Sequence, residues 1–177
     1  VGGDYYDFIP TNHNLMIKDK DSADAQANRW AMVIGDVMGK GVPAGLIMTM
    51  MRGMLRGEVL HFNSPARILQ NLNRVMYADL DNSSRFITLF YSEYDPQKRL
   101  LSYSNAAHNP PLWWHAATKT VSRFDTNGML IGLEANSQYE NCHLSFEVGV
   151  VIIYYTVGST DATSVSDERL DNKCLIL

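Results

Sequence analysis

Hydrophobic and polar positions along this chain follow two periods, and the change from one to the other outlines the architecture. An apolar run from Trp30 to Ile34 reads as a buried strand that stops at Asp36. Gly39 and Gly41 then turn the backbone before a helix begins near Pro43. From Pro43 to about Leu60, Leu46, Ile47, Met50, Met51, Met54 and Leu55 recur at helical spacing on one broad face. Met48 joins Met50, Met51 and Met54 on this helix, and core packing is the first reading of so many methionines, because they fill irregular gaps. Ser64-Pro65 is an N-cap followed by proline at the first helical position. The helix it starts carries Ile68, Leu69, Leu72, Val75 and Met76 on one stripe. Two such helices in succession are expected side by side on one sheet face.

The rest of the pattern is β. Gly2 and Gly3 lead into an aromatic-rich strand, Asp4-Tyr5-Tyr6-Asp7-Phe8. Alternation forbids Asp4 and Asp7 from sharing a face, so the two acids are expected to do different work. Leu15 to Ile17 reads as a short return strand and Lys18 to Arg29 as a polar, mobile loop. Phe86 to Tyr94 and Leu100 to Asn105 flank the turn Asp95-Pro96-Gln97-Lys98. Leu112 to Trp114, Val121 to Phe124, Cys142 to Phe146 and Val148 to Thr156 read as further strands, and Cys174 to Leu177 as a last one. Strands outnumber helices and the helices cluster mid-chain. The predicted class is α+β with a mainly antiparallel sheet system.

Composition narrows the function classes. The 177 residues fit one domain, 1–177, with a sizeable core. The abrupt Val1-Gly2-Gly3 start suggests a fragment of a longer protein. A net charge of -4 offers no basic footprint, so nucleic acid is not an expected partner. No apolar run reaches the roughly 20 residues of a membrane span. Cys142 and Cys174 lack metal spacing and read as buried free thiols, which points to the cytoplasm.

The candidate chemistry is carboxylate chemistry. Asp4, Asp36 and Asp171 stand at strand ends, with Asp161 near the last. No Cys/His cluster exists for zinc, no phosphate-cradling Gly-x-x-x-x-Gly-Lys loop, and no serine elbow between glycines. Oxygen ligands beside close-approaching glycine backbone suit Mg²⁺ or Mn²⁺ and hydrolysis by metal-bound water. Asp36 fits a plain helix-capping role equally well at this level. Spacing alone does not show that the acids converge. His108 sits in the loop Ala106-Ala107-His108-Asn109-Pro110-Pro111, where a lone histidine more often orders the loop than performs catalysis.

Four motifs in order then carry a resemblance over nearly the whole chain. They are Gly2-Gly3-Asp4-Tyr5-Tyr6-Asp7-Phe8, Ile34-Gly35-Asp36-Val37-Met38-Gly39-Lys40-Gly41-Val42-Pro43-Ala44, Phe86-Ile87-Thr88-Leu89-Phe90 and Ala107-His108-Asn109-Pro110-Pro111-Leu112. Leu130-Ile131-Gly132-Leu133 and Tyr155-Thr156 extend them. The chain resembles the SpoIIE/RsbU-type protein phosphatases, the bacterial branch of the PPM (type 2C) serine/threonine phosphatases. The resemblance implies a β-sandwich of two mainly antiparallel sheets flanked by helices, with two Mn²⁺ or Mg²⁺ ions at its edge. It makes Asp4 and Asp36 the catalytic metal aspartates, Asp36 bridging, with the Val37 carbonyl and Asp171 as further ligands. It implies attack of a metal-bridging water on phosphoserine or phosphothreonine, without a covalent intermediate. The implied substrate is a phosphorylated anti-anti-sigma-type protein in a cytoplasmic partner-switching pathway, with a dimer as an open option.

Departures from the family pattern carry the alternative. Where the family has a metal aspartate after Tyr-Thr, this chain has Val157, which offers no side-chain oxygen. The segment between Val157 and Asp171 is shorter than in the family, and Ala107 replaces a glycine. The alternative expectation is therefore an impaired pseudophosphatase, or a module that grips a phosphoprotein without turning it over. A nucleotide phosphohydrolase is weaker, since nothing reads as a base-binding pocket.

Overall fold

The computed structural model describes residues 3–11 and 29–157. Among these residues eight strands and two helices follow in order: β1 (Asp4–Pro10), β2 (Trp30–Val37), α1 (Val42–Val59), α2 (Pro65–Asn82), β3 (Ile87–Asp95), β4 (Leu100–Ala106), β5 (Leu112–His115), β6 (Thr120–Arg123), β7 (Cys142–Ser145) and β8 (Val151–Ile153). They form a five-stranded sheet, β1-β2-β3-β4-β7, and a three-stranded sheet, β6-β5-β8, with every described pairing antiparallel. This is the expected α+β architecture of two antiparallel sheets with helices outside.

The five-stranded sheet is apolar on both faces, and alternation along one strand shows why. On β3, Leu89 and Tyr91 join a core with Met51 and Leu55 of α1 and Leu69, Leu72 and Met76 of α2. Phe90, between them, turns to the other face, stacks on Tyr103 and meets Phe124 edge to face. Trp113 and Ile152 of the small sheet close that second core. The order of layers is therefore helices, large sheet, small sheet. Methionines of α1 do fill core positions, with Met51 fully buried and Met48, Met50 and Met54 packed against it.

Ser64 caps α2 as expected, its Oγ accepting from the Arg67 backbone N–H at 3.4 Å. Buried Asn73 of the same helix donates to the Glu134 carbonyl and accepts from the Gly132 backbone N–H, both at 2.8 Å. Ile131 thereby stays bridged to Ile87 at the start of β3.

Three expectations need correction. Leu46 of α1 and Val75 of α2, expected on the apolar faces of their helices, are exposed. The run Val148 to Thr156 is a strand only over Val151–Ile153. Gly149 bends the chain at φ +92°, and beyond Ile153 the backbone leaves the sheet, Tyr155 offering its carbonyl to the His108 ring instead. Cys142 is free but only half-buried, being on the edge strand β7. The expected strands at Leu15 to Ile17 and Cys174 to Leu177, the loop Lys18 to Arg29 up to residue 28, and Cys174 itself lie outside the described residues. No described helix is long and apolar enough to cross a membrane.

Candidate active site

The β1–β2 register decides which acids meet. Asp4 pairs directly with Asp36, and Tyr6 with Ile34, so both aspartates project from the face that looks toward the small sheet. They stand at the end of the strands, beyond the apolar part of that face. Asp4 is exposed and Asp36 half-buried. Burial, and then the negative charge of Asp4, push the Asp36 carboxyl above its usual range, while the Val37 backbone N–H opposes that shift.

Two glycines make the crowding possible. A Cβ on Gly3 would run into the Val37 carbonyl oxygen and come within 2.7 Å of Asp36 Oδ1. Those two oxygens thus converge on one small space against the Gly3 backbone. A Cβ on Gly35 would strike the Thr88 carbonyl and lie 2.6 Å from Leu89 Cδ1. The Val37 N–H donates to the Gly3 carbonyl at 3.1 Å, which holds the two strand ends together.

Asp7, three residues along β1, is on the opposite face and has a different environment. Arg56 of α1 makes a two-pronged contact with its carboxylate, Nε at 2.8 Å and Nη2 at 2.7 Å. Arg52 Nε lies 3.3 Å away, and the Tyr5 hydroxyl donates at 2.9 Å. Burial pushes the Asp7 carboxyl up, but Arg56, Tyr5 and Arg52 outweigh it and hold the group below its ordinary value. Alternation separated Asp4 from Asp7 in the sequence; the arginine partners of Asp7 were not visible there, because they lie some fifty residues on.

His108 is buried and serves the loop. Its Nδ1 is 2.8 Å from Thr88 Oγ1 and its Nε2 is 3.2 Å from the Tyr155 carbonyl oxygen. A carbonyl only accepts, so Nε2 carries the proton and Nδ1 accepts from the threonine hydroxyl. Burial lowers the pKa of the ring against the opposing pull of the Tyr155 carbonyl and Asp4, which keeps it neutral. The Asn105 side chain completes the turn, accepting from the His108 N–H and donating to its carbonyl, both at 2.9 Å. Thr88 is the cross-strand partner of Asp36. His108 therefore ties the segment after β8 to the strand beside the acid pair.

The donor set fits a hard divalent cation: two carboxylates with mutually unfavourable charge, a backbone carbonyl converging with one of them, and no nitrogen or sulfur ligand. A cation of the Mg²⁺ type keeps several waters and takes one or two carboxylates. Among the described residues no group of three or more His, Cys, Asp or Glu side chains gathers to hold a metal, and the Asp4–Asp36 pair supplies two. Val157 is half exposed beyond Thr156; Asp161 and Asp171 lie outside the described residues.

Comparison with known proteins gives the family and the fold. The family model described as stage II sporulation protein E (SpoIIE) matches residues 26–176. The phosphoserine phosphatase RsbU of Bacillus subtilis is 30% identical over 178 residues, covering 99% of this chain and 48% of its own length. The phosphoserine phosphatase RsbP of the same organism is 25% identical over 140 residues, 77% of this chain and 34% of its own. The chain thus spans about half the length, or less, of these curated relatives. Among solved structures, the SiaA-PP2C domain of Pseudomonas aeruginosa superposes with a TM-score of 0.75 at 19% identity, over 99% of this chain and 64% of that one. Sequence match and shared fold lead to one conclusion: this chain belongs to the SpoIIE family.

Proposed function

We propose that this chain is a metal-dependent protein phosphatase domain that hydrolyses phosphoserine or phosphothreonine on a regulatory protein of the anti-anti-sigma type. The observation that carries the reading is the cross-strand pair Asp4–Asp36 at the sandwich edge. Two carboxylates forced together, with the Asp36 carboxyl disfavoured as an anion, form a site whose charge a divalent cation relieves. The cation is Mn²⁺ or Mg²⁺, two ions in the full site. Asp4, Asp36 and the Val37 carbonyl would hold it; the family resemblance adds Asp171, which lies outside the described residues. When bound, such cations lower the pKa of water and neutralise charge on a transferring phosphoryl group.

The chain's own residues supply the frame. Gly3 and Gly35 leave room for the oxygens to converge, and the Val37–Gly3 hydrogen bond keeps the strand ends in register. His108, neutral and doubly anchored, fixes the neighbouring Tyr155 backbone and orders the rim without entering the proton chemistry.

The test is Mn²⁺-dependent hydrolysis of a phosphoserine peptide by the chain and by Val157→Asp, with metal affinity from calorimetry. Turnover by the unaltered chain that vanishes on chelation is the expected result. Val157→Asp adds a carboxylate at the position where the family carries one, and should tighten metal binding and raise the rate. Metal binding and phosphopeptide capture without turnover in either form would overturn the reading and leave a binding module.

A further inference from the structure

The described acid pair presents negative charge to a substrate whose reacting group is itself an anion, so the rim should hold an anchored cation. Three arginines are already committed to carboxylates: Arg52 and Arg56 to Asp7, and Arg29 to Asp95. Arg85 is different. Among the described residues no carboxylate pairs with it, and its Nη1 donates instead to the Met38 carbonyl oxygen at 2.7 Å. Met38 is two residues beyond Asp36, and its backbone N–H is bonded to the Phe86 carbonyl at 2.9 Å, so β2 and β3 are still tied together where Arg85 enters. The backbone N–H of Arg85 donates to the Leu80 carbonyl at the end of α2, which fixes the root of the side chain.

The loop after Asp36 is shaped around this guanidinium. A Cβ on Gly39 would collide with Arg85 Nη1 and lie 3.1 Å from Cζ, and Gly39 has φ +110°. The space that glycine leaves is the space the guanidinium occupies. An arginine held this way is half-buried, planar and always charged, with further N–H groups on the same fork. That donor geometry matches phosphate oxygens, and preorganised cations of this kind are what phosphoryl transfer uses.

We propose that Arg85, seated by the Met38 carbonyl in the hollow left by Gly39, binds the phosphoryl oxygens of the substrate and orients them toward Asp4 and Asp36. The proposal deepens the phosphatase reading and rests on it for the identity of the ligand as a phosphomonoester. Lys40, exposed in the same loop, adds charge there but has none of this anchoring.

The test uses the full chain with Mn²⁺ and inorganic phosphate as the probe, read by calorimetry, beside steady-state hydrolysis of a phosphoserine peptide. Arg85→Gln should weaken phosphate binding and raise KM roughly ten- to a hundredfold, as expected for loss of a charged hydrogen bond. Arg85→Lys should recover part of that loss, and Gly39→Ala, which displaces the guanidinium while keeping its charge, should resemble Arg85→Gln. Mn²⁺ affinity should stay unchanged in all three. Phosphate binding by Arg85→Gln equal to that of the unaltered chain would overturn the proposal, as would a lower kcat with KM and phosphate affinity untouched. If the unaltered chain binds phosphate through Arg85 yet turns over no phosphopeptide, the phosphatase reading fails while the arginine's role stands. Absence of phosphate binding by the unaltered chain overturns the proposal as well.

Discussion

Strand β1 carries two aspartates three residues apart, and the molecule treats them in opposite ways. Asp7 faces α1, where Arg56, Arg52 and the Tyr5 hydroxyl surround it and hold it ionised. Asp4 faces the small-sheet side and meets another carboxylate, Asp36, directly across the ladder. Like charges placed opposite each other cost stability, whereas a half-buried carboxylate clamped by a guanidinium fork gains it. One end of the strand is neutralised within the fold and the other carries an unrelieved like-charge pair. The same residue type is therefore favoured or disfavoured as an anion according to what the opposite element presents.

Substitutions at Asp36, Asp7 and His108 break or sharpen that contrast. The largest effect belongs to Asp36→Ala, which should lower metal-dependent turnover by about a hundredfold or more, by analogy with the loss of other preorganised charge-stabilising groups. Its melting temperature without metal should not fall. Substantial retained turnover would remove Asp36 from the chemistry.

Asp7→Ala should act in the reverse sense, on stability. Its side chain is 11% exposed and that of Arg56 34%, so the pair is only partly screened by water. Removing the carboxylate should cost about 1–3 kcal/mol, below the loss seen for fully buried pairs. A double-mutant cycle with Arg56→Ala measures the coupling, and no coupling would mean that the clamp contributes only packing. The sign of its pH dependence follows from the lowered pKa. Asp7 contributes stability above its unfolded value, near 3.8, and loses it as pH falls through the folded one. Asp7→Asn should flatten that part of the acid unfolding curve.

His108 gives a smaller effect nearer neutrality. Burial lowers its folded pKa below the ordinary imidazole value of 6.5, so the unfolded chain takes up a proton that the folded ring resists. Stability should decline as pH falls below about 6.5, by no more than about 1 kcal/mol between pH 7 and 6. His108→Gln, which can keep one hydrogen bond, should lose that slope; an unaltered slope would show that other groups carry it.

The smallest expected change is a gain. Asp36→Asn in metal-free protein at neutral pH removes the like-charge opposition with Asp4 and should stabilise the fold by a few tenths of a kcal/mol. The sign follows from the raised pKa: ionised Asp36 is disfavoured in the fold relative to the unfolded chain, so its penalty applies above the folded pKa and fades below it. A loss of stability instead would place Asp36 in a favourable contact within the metal-free fold.

Much of this was legible in the chain before any coordinates. Period-two and period-3.6 patterns located β1, β2, both helices, β3 and β4 to within a residue or two, because each buries a continuous face and little else competes. Where burial is thin the pattern misled. Val148 to Thr156 is rich in β-branched and aromatic residues, but Tyr154 and Tyr155 bond to Ser92 and His108 beyond the ladder, leaving three residues of strand. The resemblance named Asp4 and Asp36 as partners, and alternation assigned Asp4 and Asp7 to different faces. Nothing in the sequence pointed to Arg85, since its contacts with Met38 and Gly39 span nearly fifty residues and follow no local period.

By itself, then, the sequence determined the elements, the two-faced character of the central strands and the oxygen-rich chemistry at their ends. Those properties are local, being set by side-chain period, capping residues and glycine. The tertiary structure alone decided the register that sets Asp4 against Asp36, the helix face that gives Asp7 its arginines and the loop that seats Arg85. Register is a cooperative outcome of matching whole faces across a sheet: a slip of one residue along β1 would have turned Asp4 toward the helices and Asp7 toward the small sheet.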